Sequence, residues 1–335
     1  MIKRRDFLRN GSLLLASAAL GSLPKRSILG SEGLPENLLS HDGKIIVEVF
    51  LRGGMDGLMA VSPRRDDGLR RLRPSLFMGR RTSASSDRLL QLNDDLGLHP
   101  AFKPLFDLYQ HGELAIVSGI GTDAIHRSHE SAVKSLDRAR FQSRPAEPTP
   151  AQRYEGQTTG SGRSQSTVNR SESIGRQLQR AASTIKAGTA MRYMTTEMRG
   201  WDTHVHQGTL EGEFASKAGE LSAAIGSFWD DMRPLHGEVI VFTTTEFGRS
   251  VRENSSRGTD HGWASCSFVL GGSVRGGEVY RAKPRVVRTK DELAEFTPSI
   301  HSHTLFSRLV VGHLSPALSD AGDSGSIPLK YLLST

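Results

Sequence analysis

The chain reads as an α/β protein built on a mixed, mostly parallel sheet with helices on both faces. Three observations predict it. Short runs rich in β-branched and aromatic residues recur along the 335 residues. They alternate with longer stretches whose apolar residues fall at helical spacing, the pattern of a sheet covered on both sides. Several runs hand over to loops carrying glycines, carboxylates and imidazoles, where an α/β sheet builds its ligand site.

Residues 44–51 (Lys-Ile-Ile-Val-Glu-Val-Phe-Leu) form the first strand. Arg52-Gly53-Gly54-Met55-Asp56-Gly57-Leu58 follows, and its glycines let the backbone turn sharply and approach a ligand. Residues 64–97 are polar and irregular and read as an exposed excursion. A helix opens at Leu98-His99-Pro100 and runs toward Tyr109, and a strand over 113–118 ends in Gly119-Ile120-Gly121. Asp123 to His129 then lead into a helix that includes 131–136. Residues 141–172, dense in Pro, Ser, Gly and Gln, read as a flexible loop. Ile174, Leu178, Ala181 and Ile185 mark a helix over 173–186. A strand over 191–195 leads to Trp201-Asp202-Thr203-His204-Val205-His206. A long helix spans 210–232, with Leu221, Ile225 and Phe228 on one face. The strand over 237–244 runs into Glu246-Phe247-Gly248-Arg249, and Asp260-His261 precede a strand over 267–270. A helix over 302–314 closes a domain spanning 41–320, and 321–335 form a tail.

Composition narrows the function. The one cysteine, Cys266, excludes an intramolecular disulfide and reads as a small core residue. The net charge is +7, with bases interspersed among acids and no nucleic-acid motif. The partner this suggests is an anionic small molecule or an envelope polymer rather than nucleic acid. At the N-terminus, Arg4-Arg5-Asp6-Phe7-Leu8 followed by Leu13 to Leu20 resembles a twin-arginine export signal over residues 1–30. The apolar run is short for a membrane span, which needs roughly 20 residues. The expected location is periplasmic or otherwise exported, with the translocase a partner during export; an uncleaved signal would anchor the chain.

Carboxylate with imidazole is a donor set for a divalent metal, zinc or manganese before calcium or magnesium. The candidate ligands in these loops are Asp202, His204, His206, Glu246, Asp260 and His261. Residues of these loops also have structural readings. Asp56 follows a glycine pair and suits a turn. Ser128, near the start of its helix, suits an N-cap. Glu246 has Arg249 as an ion-pair partner. His99, His126 and His129 read as hydrogen-bonding or supporting residues, and His301, His303 and His313 as surface or packing residues of the last helix.

The ordered set Gly53-Gly54-Met55-Asp56-Gly57-Leu58, Arg127-Ser128-His129, Gly200-Trp201-Asp202-Thr203-His204, Thr245-Glu246-Phe247-Gly248-Arg249 and Gly258-Thr259-Asp260-His261-Gly262 resembles the domain of unknown function 1501 (DUF1501) family, over residues 44–314. That resemblance implies an exported bacterial protein with an alkaline phosphatase-like core, the superfamily of sulfatases and metal-dependent phosphoglycerate mutases. It implies a metal-dependent hydrolase of phosphate or sulfate esters. Asp56 would be a metal ligand after the first strand and Ser128 the nucleophile. Arg127 or Arg249 would balance the substrate's charge. Asp202 with His204 or His206, Glu246, and His261 would be further ligands. Phe247 stands where the superfamily has an imidazole, which weakens a second metal site, and Asp260 is a conceivable substitute. The short segment between Ser128 and Asp202 leaves no room for a capping domain. These departures leave two readings: a reduced or degenerate hydrolase, or a non-catalytic envelope protein that keeps the fold and one metal.

Overall fold

The computed structural model describes residues 44–80, 88–122, 128–141, 172–188, 192–281, 285–288, 294–314, 329 and 331–333. The export signal, His126, Arg127, all but the ends of the loop at 141–172, and most of the tail lie outside the described residues. In chain order the elements are β1 (Ile45–Arg52), α1 (Gly57–Ala60), β2 (Val61–Pro63), α2 (Asp67–Leu72), β3 (Leu90–Gln91), β4 (Leu96–Leu98), α3 (Lys103–Gln110), β5 (Leu114–Gly121), α4 (His129–Phe141) and α5 (Ile174–Lys186). There follow β6 (Tyr193–Arg199), α6 (Glu213–Asp231), β7 (Val239–Thr244), β8 (Arg249–Glu253), β9 (Thr259–His261), β10 (Ser265–Gly271), β11 (Val279–Arg281), β12 (Arg285–Arg288), β13 (Ala294–Thr297), β14 (Ile300–His301) and α7 (Ser302–Leu314).

The main sheet has seven strands, in the order β11-β5-β10-β7-β1-β6, with β14 also paired to β5. β1 runs parallel to β6 and β7, and β5 runs parallel to β11 and β14. β10 lies antiparallel between β5 and β7. The sheet is therefore mixed and mostly parallel, and the chain is α/β. Alternation along β1 sends Val47, Val49 and Leu51 to one face, where they meet Leu178 and Ile185 of α5, Leu221 and Ile225 of α6, and Leu105 of α3. Ile46 faces the other way, toward Leu305, Phe306 and Leu309 of α7. Helices cover both faces. Glu48 is fully buried in mid-strand, and the hydroxyls of Tyr193 and Thr244 donate to its carboxylate. Without such partners a charge buried there would be costly.

Residues 64–97 differ from the sequence expectation. They include α2 and the small antiparallel sheet β2-β4-β3. Leu69, Leu76, Phe77, Met78, Leu89, Leu92 and Leu96 are buried, so much of this segment belongs to the core. Its apolar residues follow neither a helical nor a strand period over any long window, which hid them from a periodicity argument. Cys266 is buried in β10, as its composition suggests. His313 is likewise buried, with Nε2 against the Glu238 carbonyl at 2.9 Å. Among the described residues, no helix is long and apolar enough to cross a membrane.

Candidate metal centre

The polar loops after β1, β6 and β7 meet at one edge of the sheet, joined by the N-terminus of α4 and the β8-β9 hairpin. Gly53 makes the close approach possible. Its φ is +122°, and a Cβ there would lie 2.6 Å from the Asp202 backbone nitrogen. The Trp201 N–H donates to the Arg52 carbonyl, which ties the Asp202 loop to the end of β1. Trp201 is buried against Phe214 of α6 and supports the loop from below. His99, also buried, tethers the far end of the loop through Nε2 and the Thr209 carbonyl at 2.8 Å.

Asp202 is the centre of the arrangement. Its Oδ1 lies 3.1 Å from His204 Nε2 and 3.1 Å from His261 Nε2, and its Oδ2 lies 3.3 Å from His129 Nε2. The two Nε2 atoms of His204 and His261 are 3.0 Å apart. Donor atoms of His129, Asp202 and His261 all fall within 4.8 Å of one another. Two atoms bound to one ion at about 2.0–2.1 Å are separated by about 2.9–3.4 Å, so the His204–Asp202–His261 triangle matches the span of a zinc-type site.

Two further carboxylates stand behind two of the rings. Glu246 Oε1 accepts the Gly53 N–H at 2.9 Å and faces His129 Nδ1 at 2.8 Å. Asp260 Oδ1 accepts from Asn254 Nδ2 at 3.1 Å and faces His204 Nδ1 at 3.0 Å. A proton held at Nδ1 by that carboxylate oxygen would leave the lone pair at Nε2. With that tautomer the lone pairs of His129 and His204 at Nε2 would face Asp202. Lone pairs facing a carboxylate at this range repel unless a proton or a cation lies between them. The carboxylate–histidine pairing is the arrangement that orients metal-ligating imidazoles. The residues present therefore fit a divalent cation.

Burial pushes the Asp202 carboxyl up, but hydrogen bonding and charge from Arg249, then His261 and His204, more than reverse this and bring it down to about 2. For Asp260, burial again acts upward and is outweighed by Asn254 and His204, which hold it below its ordinary value. The folded-state value of Asp202 lies below its ordinary 3.8. Its ionised form thus adds stability that is present above about pH 4 and lost as the pH falls toward 2. Asp202→Asn is expected to flatten that acid limb when unfolding is followed against pH without metal. An unchanged slope would contradict the assignment.

Of the residues the sequence singles out, the structure brings together Asp202, His204, Asp260, His261 and Glu246, with two changes of place. Glu246 is fully buried and stands behind His129, and Asp260 stands behind His204. His129, read from sequence as a supporting residue, points Nε2 into the cluster. The signal was its position at the start of a helix after a strand. Of the two imidazoles flanking Asp202, His204 is in the cluster. His206 is exposed, at φ +47°, with its N–H on the Ser256 carbonyl.

Asp56 departs from its expected place among the ligands. Its Oδ1 caps α1 by accepting the Leu58 and Met59 N–H groups, and its Oδ2 accepts from Arg73 and Gln207, each at 2.8 Å. The physical reason is Arg73, a buried cation from the segment read as a loop. Arg249 also departs. It is buried and donates to the carbonyls of Gly53, Gly54, Trp201 and Thr259 and to Asp202. Its donors hold the loops together, which takes it away from the expected substrate clamp. Ser128 is exposed one residue before α4, and its Oγ accepts the Ser131 N–H at 3.2 Å, as an N-cap does. Phe247 is buried, its ring 4.4 Å from that of His261 and 4.9 Å from that of His129. It supplies an apolar wall in place of an imidazole.

The model of the family described as "Protein of unknown function (DUF1501)" matches residues 145–310. The chain resembles the DUF1501 family. The matched span includes Asp202, His204, Glu246, Asp260 and His261, so most of the cluster lies within the DUF1501-like region. No protein of curated function matches the chain. Among solved structures, the chain is similar to the C-terminal periplasmic domain of EcEptC from Escherichia coli in complex with zinc. Identity is 11%, coverage is 93% of this chain and 96% of that one, and the TM-score is 0.43. A second structure of the C-terminal periplasmic domain of EcEptC from Escherichia coli gives 10% identity, 90% and 91% coverage and a TM-score of 0.42. Neither likeness is close enough to carry an argument about activity.

Proposed function

We propose that the chain is an exported, metal-dependent hydrolase of phosphate or sulfate esters, with an alkaline phosphatase-like core and one divalent cation, zinc or manganese. The observation that carries the reading is the convergence of His129, His204 and His261 through Nε2 on Asp202, with Glu246 and Asp260 behind two of the rings. A bound cation supplies Lewis-acid polarisation of the ester oxygen. His129, His204, His261 and Asp202 would hold that cation, with Glu246 and Asp260 behind His129 and His204 to orient their rings. Phe247 shields one side from water. Ser128 presents its hydroxyl beside His129 at the start of α4, where first-turn N–H groups favour an oxyanion. Its oxygen would form the new bond to phosphorus or sulfur as the bond to the ester alcohol breaks, its proton ending on the departing alcohol; water would then cleave the serine ester, restoring the hydroxyl and releasing the acid. Arg127, which precedes Ser128 in the sequence, would balance the substrate's charge. Export by the twin-arginine route belongs to the same proposal.

The saturation of Asp56 by Arg73 and Gln207 favours a second reading, in which a single cation serves binding in a non-catalytic envelope protein. Hydrolysis of an aryl phosphate and an aryl sulfate by the zinc- or manganese-loaded protein separates the two. The enzyme reading predicts turnover that chelation abolishes and that Ser128→Ala reduces. Glu246→Gln is expected to weaken metal affinity by about 10–100-fold, the usual effect of removing an outer-shell carboxylate. Metal binding with no turnover of either ester supports the second reading.

A further inference from the structure

Arg52 and Arg199 end β1 and β6 and are partners in the parallel register of these strands. Register partners project from the same face of a sheet, so two guanidinium-bearing side chains leave it side by side. They do so at the edge where the metal centre lies. Like charges placed this way repel. Glu197 of β6 serves both: its Oε1 is 2.6 Å from Arg199 Nε and its Oε2 is 3.9 Å from Arg52 Nη1. Glu197 is itself fixed, because Gln177 of α5 donates to its carbonyl at 2.8 Å and accepts its N–H at 2.9 Å. Two cations against one carboxylate leave a net positive charge on side chains that are 37% and 48% exposed. The pair is joined to the centre through the backbone. The Arg52 carbonyl accepts the Trp201 N–H, next to Asp202, and the following residue, Gly53, donates to Glu246.

We propose that Arg52 and Arg199 form an anion-binding subsite beside the metal centre. It takes a second oxyanion, a phosphate, sulfate or carboxylate, carried by the ester. The substrate class it implies is an ester with at least two anionic groups, as in an anionic polymer. That assignment rests on the hydrolase reading, whereas the subsite itself stands without the cation. Guanidinium groups recognise oxyanions by charge-assisted, often bidentate hydrogen bonds. Glu197 is the internal occupant that an incoming anion displaces.

The test uses the chelator-treated full chain titrated with inorganic phosphate by calorimetry at fixed ionic strength. Arg52→Gln combined with Arg199→Gln is expected to weaken phosphate binding by at least about fivefold. Glu197→Gln, which removes the competing carboxylate, is expected to tighten it several-fold. Both substitutions lie on side chains that are at least partly exposed, and opposite signs are not produced by a loss of fold. Equal affinity across wild type, the double variant and Glu197→Gln overturns the subsite. A zinc titration run in parallel separates the two proposals. Arginine-dependent phosphate binding without zinc binding leaves the subsite and overturns the metal reading. Zinc binding without arginine-dependent phosphate binding does the reverse.

Discussion

Asp56→Ala is expected to lower the free energy of unfolding by about 3–5 kcal/mol, the cost of breaking a buried ion pair from one side. The Asp56 and Arg73 side chains are 1% and 2% exposed, so neither is relieved by solvent. Removing the carboxylate strands the Arg73 guanidinium, whose other donors go to the Val251 and Ser250 carbonyls. It also uncaps α1 and leaves the amide of Gln207 without its acceptor. Gln207 accepts from Thr203 and Thr259, on either side of the metal-centre loops, so some loosening there follows. Denaturant unfolding measures the loss, and metal analysis of the folded fraction gives the second half of the result: one ion per chain, as in wild type. A variant of unchanged stability that has lost metal would restore Asp56 as a ligand and remove it as a structural residue.

The second large effect is expected at the cluster itself. Wild type in zinc a hundredfold above its dissociation constant should gain about 2.7 kcal/mol of stability. Asp202→Ala and His261→Ala should each gain almost none, because each removes an atom about which the other donors are arranged. Losing a direct ligand should cost more than the roughly 10–100-fold typical of an outer-shell residue. Asp202→Ala carries a further penalty without zinc, since Arg249 is buried and loses its carboxylate partner. Thermal denaturation with and without zinc separates the two contributions. An equal zinc-dependent shift in wild type and both variants would mean that the ion binds elsewhere.

The sheet was legible where periodicity and composition agree. β1, β7 and α5 were readable because β-branched runs and a heptad-like apolar stripe leave little choice of element. The direction of β10 was not readable, because a buried strand carries no local mark of its neighbours' orientation. The β8-β9 hairpin was missed for a related reason: Arg249–Glu253 and Thr259–His261 are too short and polar to stand out, yet they carry Arg249, Asp260 and His261. Asp202, His204 and His261 were singled out as residue types that seldom gather at strand ends without purpose. That Glu246 stands behind His129 is not readable from sequence, because it depends on the Gly53 N–H, to which the Glu246 carboxylate is bound. The pairing of Asp56 with Arg73 is likewise not readable, because Arg73 lies in a segment whose sequence reads as loop.

Zinc titration of chelator-treated wild type, alongside the Asp202→Ala, His261→Ala double variant, tests the central claim most directly. One zinc per wild-type chain, with none retained by the double variant, is the predicted result when bound metal is counted by mass spectrometry and equilibrium dialysis. Wild type that takes up no zinc, or a double variant that binds as much as wild type, would contradict a metal centre built on Asp202.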